Sequence, residues 1–88
     1  MAENILVYHI GKLMLFLRCE PYLTQEDAET LNEVIDYLKT APDINEAIAL
    51  LNTTYQGISS TPKITRSTKL IAIRQLIGLK KYQRSVMQ

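Results

Sequence analysis

The sequence predicts an all-α fold: a small compact bundle of about four helices, spanning roughly 3–19, 24–40, 43–56 and 61–83, in a single domain over residues 1–88. Three observations predict it. Apolar residues recur at helical rather than strand spacing along most of the chain. Three segments open on residues suited to start a helix: Thr24, Asp43 and the pair Thr61-Pro62. A chain of 88 residues that is 47% hydrophobic and 22% charged can hold one core, and is too apolar for disorder.

In the first segment Leu6, Ile10, Leu13 and Leu17 follow a 4-3-4 spacing, with Val7 and Met14 alongside. Ile5, Tyr8, Leu15 and Phe16 lie elsewhere around the cylinder, so this helix is apolar nearly all round. Such a helix is central or interfacial. A β-hairpin turning at Gly11-Lys12 is the competing reading, because glycine there permits a type II′ turn. The Leu and Met content favours the helix.

The second helix starts at Thr24, whose hydroxyl can cap the amides of Glu26 and Asp27. Ala28, Leu31, Val34, Ile35 and Leu38 fall on one face, and Glu26, Glu29, Glu33 and Asp36 on the other. Pro42 stops it. Asp43 opens the third helix, with Glu46 placed to close a capping box. Ile44, Ala47, Ile48, Leu51 and Tyr55 form its stripe, and Gly57 is suited to cap its end. The short connection makes helices two and three an αα-hairpin.

Thr61-Pro62 is the expected start of the fourth helix, since proline fits the first helical position; Thr65 or Ser67 are later alternatives. Ile64, Leu70, Ile71, Ile73, Leu76, Ile77 and Leu79 supply its apolar content up to Gly78, where the helix ends or weakens. Residues Ser85 to Gln88 are expected to fray.

Little in the sequence suggests chemistry. One histidine, His9, and one cysteine, Cys19, cannot build a zinc site, which needs four ligands. No nucleophile elbow, phosphate-binding glycine loop or zinc-protease motif occurs. The expectation is therefore a non-enzymatic protein with no catalytic residues, no metal, no cofactor and no small-molecule substrate. The apolar run from Ile5 to Leu17 carries His9 and Lys12 and is too short and polar to span a bilayer. An intracellular, cytoplasmic protein without membrane contact is expected.

The distinctive feature is charge segregation. Residues 1–62 carry nine acids and three bases, net −6, whereas residues 63–88 carry seven bases and no acid, net +7. On a helical wheel Lys63, Arg74 and Lys81 share a line, Arg66 and Arg84 lie nearby, and Leu70, Ile73 and Ile77 are interleaved with them. Ile64, Ile71, Leu79 and Tyr82 occupy the other side and serve the core. Three readings follow. The basic segment is neutralised by the acidic face of the second helix, or the strip is a protein interface, or it binds nucleic acid. Exposed ion pairs contribute at most about 1 kcal/mol each, which makes neutralisation a modest purpose. Leucine and isoleucine where base-reading polar groups are wanted, and a sequence pI of about 7.8, argue against nucleic acid.

The expected function is thus a helical interaction or regulatory protein that binds another protein, with self-association into a homo-oligomer the expected form. Leu70, Ile73 and Ile77 make the apolar contacts, while Lys63, Arg66, Arg74 and Lys81 set orientation and partner charge. The alternative is a nucleic-acid-binding protein that uses the same basic helix on phosphates. A helix-turn-helix can be laid over the third and fourth helices, but no residue pattern is specific to that motif.

Overall fold

A computed structural model describes residues 2–87, with side chains described for residues 4–85. The described residues form four helices and no strand: α1 (Ala2–Cys19), α2 (Gln25–Lys39), α3 (Ile44–Ser60) and α4 (Arg66–Met87). The all-α bundle is as the periodicity predicts. The hairpin alternative for the first segment is overturned, since α1 runs unbroken through Gly11-Lys12.

The two early caps act as expected, with small departures. Thr24 Oγ1 accepts from the amide of Asp27 at 3.1 Å. Asp43 Oδ2 accepts from the amides of Asn45 and Glu46 at 3.1 and 3.3 Å. The Glu46 carboxylate does not close the capping box; it accepts instead from the Tyr37 hydroxyl at 3.2 Å, tying α3 to α2. Between these helices Ala41 sits at φ 54°, in the left-handed region, as the residue after the helix C-cap often does.

The junction of α3 and α4 differs from the sequence expectation. Glycine at 57 does not end α3, which continues to Ser60 because Ile58 is buried in the core and local hydroxyls satisfy the last carbonyls. Ser60 Oγ donates to Gln56 O at 2.8 Å and Thr61 Oγ1 to Gly57 O at 2.7 Å. Thr61-Pro62 then lies in a turn, not in a first helical turn. The cap of α4 is Thr65, the later alternative: its carbonyl accepts from the Lys69 amide at 3.0 Å and its Oγ1 from the Thr68 amide at 3.4 Å. At the far end α4 runs through Gly78 to Met87, where fraying was expected from Ser85. Gln88 lies outside the described residues.

The stripes turn inward, but on α1 Val7 and Met14, alongside the stripe in sequence, face solvent, and Phe16 is buried in their stead. Leu13, Leu38, Ile48, Leu51 and Tyr55 are the largest fully buried side chains. The closest pairings are α3 with α4 and α1 with α2. Fully buried Ala72 is small enough to admit a close approach of α4. The α2–α3 hairpin is looser than its short connection suggests: an open groove of about 280 Å³, lined by Leu23, Leu31, Val34, Leu50, Ile58 and Ile64 among others, separates the two helices. Gln75 Nε2 on α4 donates to the Tyr8 hydroxyl on α1 at 3.3 Å and closes the ring of helices. In that ring α2 and α4 stand across from one another.

Candidate interaction surface

Helix α4 is anchored by a buried acid from the end of α1. Glu20 is only 5% exposed. Its Oε2 accepts from the hydroxyls of Thr68 at 2.6 Å and Thr65 at 2.8 Å, and its Oε1 from the amides of Tyr22 at 3.1 Å and Thr65 at 3.4 Å. Burial by itself pushes the carboxyl up. The hydrogen bonds from Thr68, Thr65 and Tyr22 outweigh it and hold the pKa below the ordinary carboxylate value. The carboxylate also complements the positive end of the α4 dipole. The sequence reading treated Glu20 only as one of nine acids. Thr65 and Thr68, three apart at a helix start, were the visible half of this arrangement; the acid that meets them is 45 residues away.

So anchored, α4 presents one face inward and one to solvent. Ile64, just ahead of it, is buried with Ala72 and Leu79, and Ile71, Leu76 and Tyr82 pack at the margin. On the outer face Leu70, Ile73 and Ile77 are 48%, 40% and 49% exposed. Arg66, Arg74 and Lys81 are exposed on the same helix: Arg66 lies in line with the strip one turn before Leu70, and Arg74 and Lys81 border one side of it. Lys63 is exposed too, but it lies in the turn before α4, so it does not share a helical line with Arg74 and Lys81. Six of the seven residues singled out from sequence therefore lie on one helix, and the seventh flanks its start.

Neutralisation within the molecule finds no geometric support. Glu26, Glu29, Glu33 and Asp36 are exposed on α2, across the ring from α4. Among the described residues no carboxylate of α2 forms an ion pair with a cation of α4. Helices α2 and α4 are not among the paired helices of the bundle.

A second exposed apolar surface lies on α1. Leu6, Leu13 and Phe16 are buried, whereas Val7, Tyr8, Met14 and Leu15 are 67%, 49%, 45% and 41% exposed. The all-round apolarity of this helix was its signal, although no residue of it was singled out as a contact. His9 turns inward and shares a 2.7 Å hydrogen bond with Tyr55. Cys19 is exposed.

Among the described residues no three His, Cys, Asp or Glu side chains converge to hold a metal ion, and no helix is long and apolar enough to cross a membrane. No known family, curated protein or solved structure matches this chain.

Proposed function

We propose that this protein is a non-enzymatic helical interaction module that self-associates through the outer face of α4. One observation carries the reading: Leu70, Ile73 and Ile77 are about half exposed in a row, on a helix whose opposite face already supplies its share of the core. Burying apolar surface stabilises by roughly 25 cal/mol per Å². A strip of three large aliphatic side chains bordered by cations matches the usual anatomy of an interface, with an apolar centre and a polar rim. The cations select an acidic partner surface and steer its approach.

Nucleic acid is the weaker reading. The seven bases of residues 63–88 favour it, but the start of α4, where free amides would attract a phosphate, is already occupied by the Glu20 carboxylate.

The test is solution mass by light scattering over a dilution series, for the wild type, Ile73→Asp and the pair Arg74→Ala/Lys81→Ala, with duplex DNA titrated in parallel. The expected result is a wild-type mass above one chain that Ile73→Asp returns to one chain with helicity unchanged. An assembly indifferent to Ile73→Asp overturns the reading. So does a wild type that stays at one chain yet binds duplex with a salt slope that the double alanine variant lowers by about 0.9 per lost phosphate contact.

A further inference from the structure

Taking the α4 contact reading as its basis, we infer that the partner surface is the α1–α2 face of a second copy of this chain, joined head to tail so that the assembly is open-ended or a ring and not a two-fold dimer. Three observations carry it.

The two apolar strips match in spacing. On α1 the solvent-facing Val7, Gly11 and Met14 are spaced four and three residues apart. On α4 Leu70, Ile73 and Ile77 are spaced three and four. Laid antiparallel, the strips coincide: Val7 meets Ile77, Gly11 meets Ile73 and Met14 meets Leu70. Each strip spans seven residue steps, about 10 Å at 1.5 Å per residue.

The middle position is a notch facing a knob. Gly11 is exposed in mid-helix, and a Cβ built there meets nothing within 4 Å, so nothing inside the monomer requires glycine. Glycine in a helix interior is unfavourable relative to alanine. Between Val7 and Met14 it leaves the depression that a β-branched side chain such as Ile73 fills.

The charges are complementary in overall balance, although the same register sets Arg18 of α1 against Arg66 of α4. Met14 borders a cleft shared with Ile35 and Asp36 of α2, and the outward row of Glu26, Glu29, Glu33 and Asp36 continues that face. Arg18 and Lys39 line the same cleft, so its charge is mixed there, and the acidic row gives the face its negative balance. The α4 strip is bordered by cations alone. Helix α2 is not paired with α4 in the bundle, so the acidic row does not cover the basic strip within one molecule. Two different, mutually complementary patches make a heterologous contact, which propagates or closes a ring.

The decisive experiment mixes two half-broken variants, Ile73→Asp and Met14→Asp. Both positions are solvent-facing, and circular dichroism checks that each variant keeps its helicity. The wild-type mass should climb past two chains with concentration and fall with salt. Each variant alone should be one chain, and their 1:1 mixture should be two chains, the intact α4 of one on the intact α1 of the other. Gly11→Gln should raise the melting temperature while weakening wild-type assembly at least tenfold. If Ile73→Asp leaves the assembly intact, the α4 reading itself fails. If Ile73→Asp dissolves it but Met14→Asp does not, or the mixture stays at one chain, α4 remains a contact surface and the head-to-tail inference is overturned. A wild type of one chain at every concentration overturns both.

Discussion

The Tyr55 hydroxyl and His9 Nδ1 lie 2.7 Å apart, joining α3 to α1 across 46 residues at the centre of the bundle. His9 is 6% exposed, and its imidazole pKa falls from 6.5 to about 4, chiefly through burial, with the Lys12 ammonium adding to the effect. Burial likewise holds the Tyr55 phenol far above its ordinary value, so both groups are neutral at pH 7.

This pair makes the fold acid-sensitive. Between pH 6.5 and about 4 the unfolded chain binds a proton on His9 that the folded chain refuses, so stability falls as pH falls. The full loss is about 3 kcal/mol. Urea denaturation at pH 7 and pH 4.5 measures it. The double variant His9→Leu/Tyr55→Phe should flatten that pH dependence, whereas either single change strands a buried polar partner and costs about 1–3 kcal/mol.

Glu20→Gln should destabilise by about 1–3 kcal/mol, because the hydrogen bonds that lock the start of α4 lose their charged acceptor. Hydrogen exchange should locate the loss in the first turn of α4. Glu20 in its native place is held below the ordinary carboxylate pKa, so its contribution is present above that range and disappears as pH falls through it. The wild type should therefore lose stability more steeply than the Gln variant in that acid range. A variant with unchanged stability and exchange would mean that the Thr65 and Thr68 hydroxyls suffice without the acid.

Two exchanges of alanine and glycine should both stabilise, for opposite reasons. Ala41→Gly relieves a left-handed residue with φ 54°, a conformation that disfavours a Cβ by roughly 1–2 kcal/mol. Gly78→Ala, in mid-α4 with nothing within 4 Å of the added Cβ, should gain up to about 1 kcal/mol from helix propensity. Each gained kcal/mol raises the melting temperature by about 4–8 °C in a domain this small. Calorimetry of the two variants decides.

Asn52→Leu should stabilise by about 1 kcal/mol, since Asn52 Oδ1 is buried without a hydrogen-bond partner and an apolar side chain removes that cost. Chemical denaturation checks it. A loss of stability would mean that the amide is held by contacts its carbonyl oxygen does not report.

The legible parts of this protein were local. The stripes of α2 and α3, their caps at Thr24 and Asp43, and the outer strip of α4 follow from spacing and side-chain chemistry, which tertiary context did not override. The boundary between α3 and α4 was misread because glycine and Thr-Pro are only statistical stops. What decided it were a buried Ile58 and the Glu20 carboxylate beneath Thr65 and Thr68, both supplied by packing. On α1, wheel position alone could not rank Val7 and Met14 against His9 and Phe16: all lie on an apolar helix, and only its neighbours choose which side is covered.

By itself, then, the sequence determined four helices, the inward faces of α2 and α3 and a basic segment, because periodicity, capping and charge act over a few residues. The tertiary structure alone decided that the acidic helix α2 and the basic helix α4 are not packed together, that α1 leaves a second apolar strip uncovered, and that His9 and Glu20 are interior. Those are relations between segments dozens of residues apart, and only the packing of one helix on another fixes them.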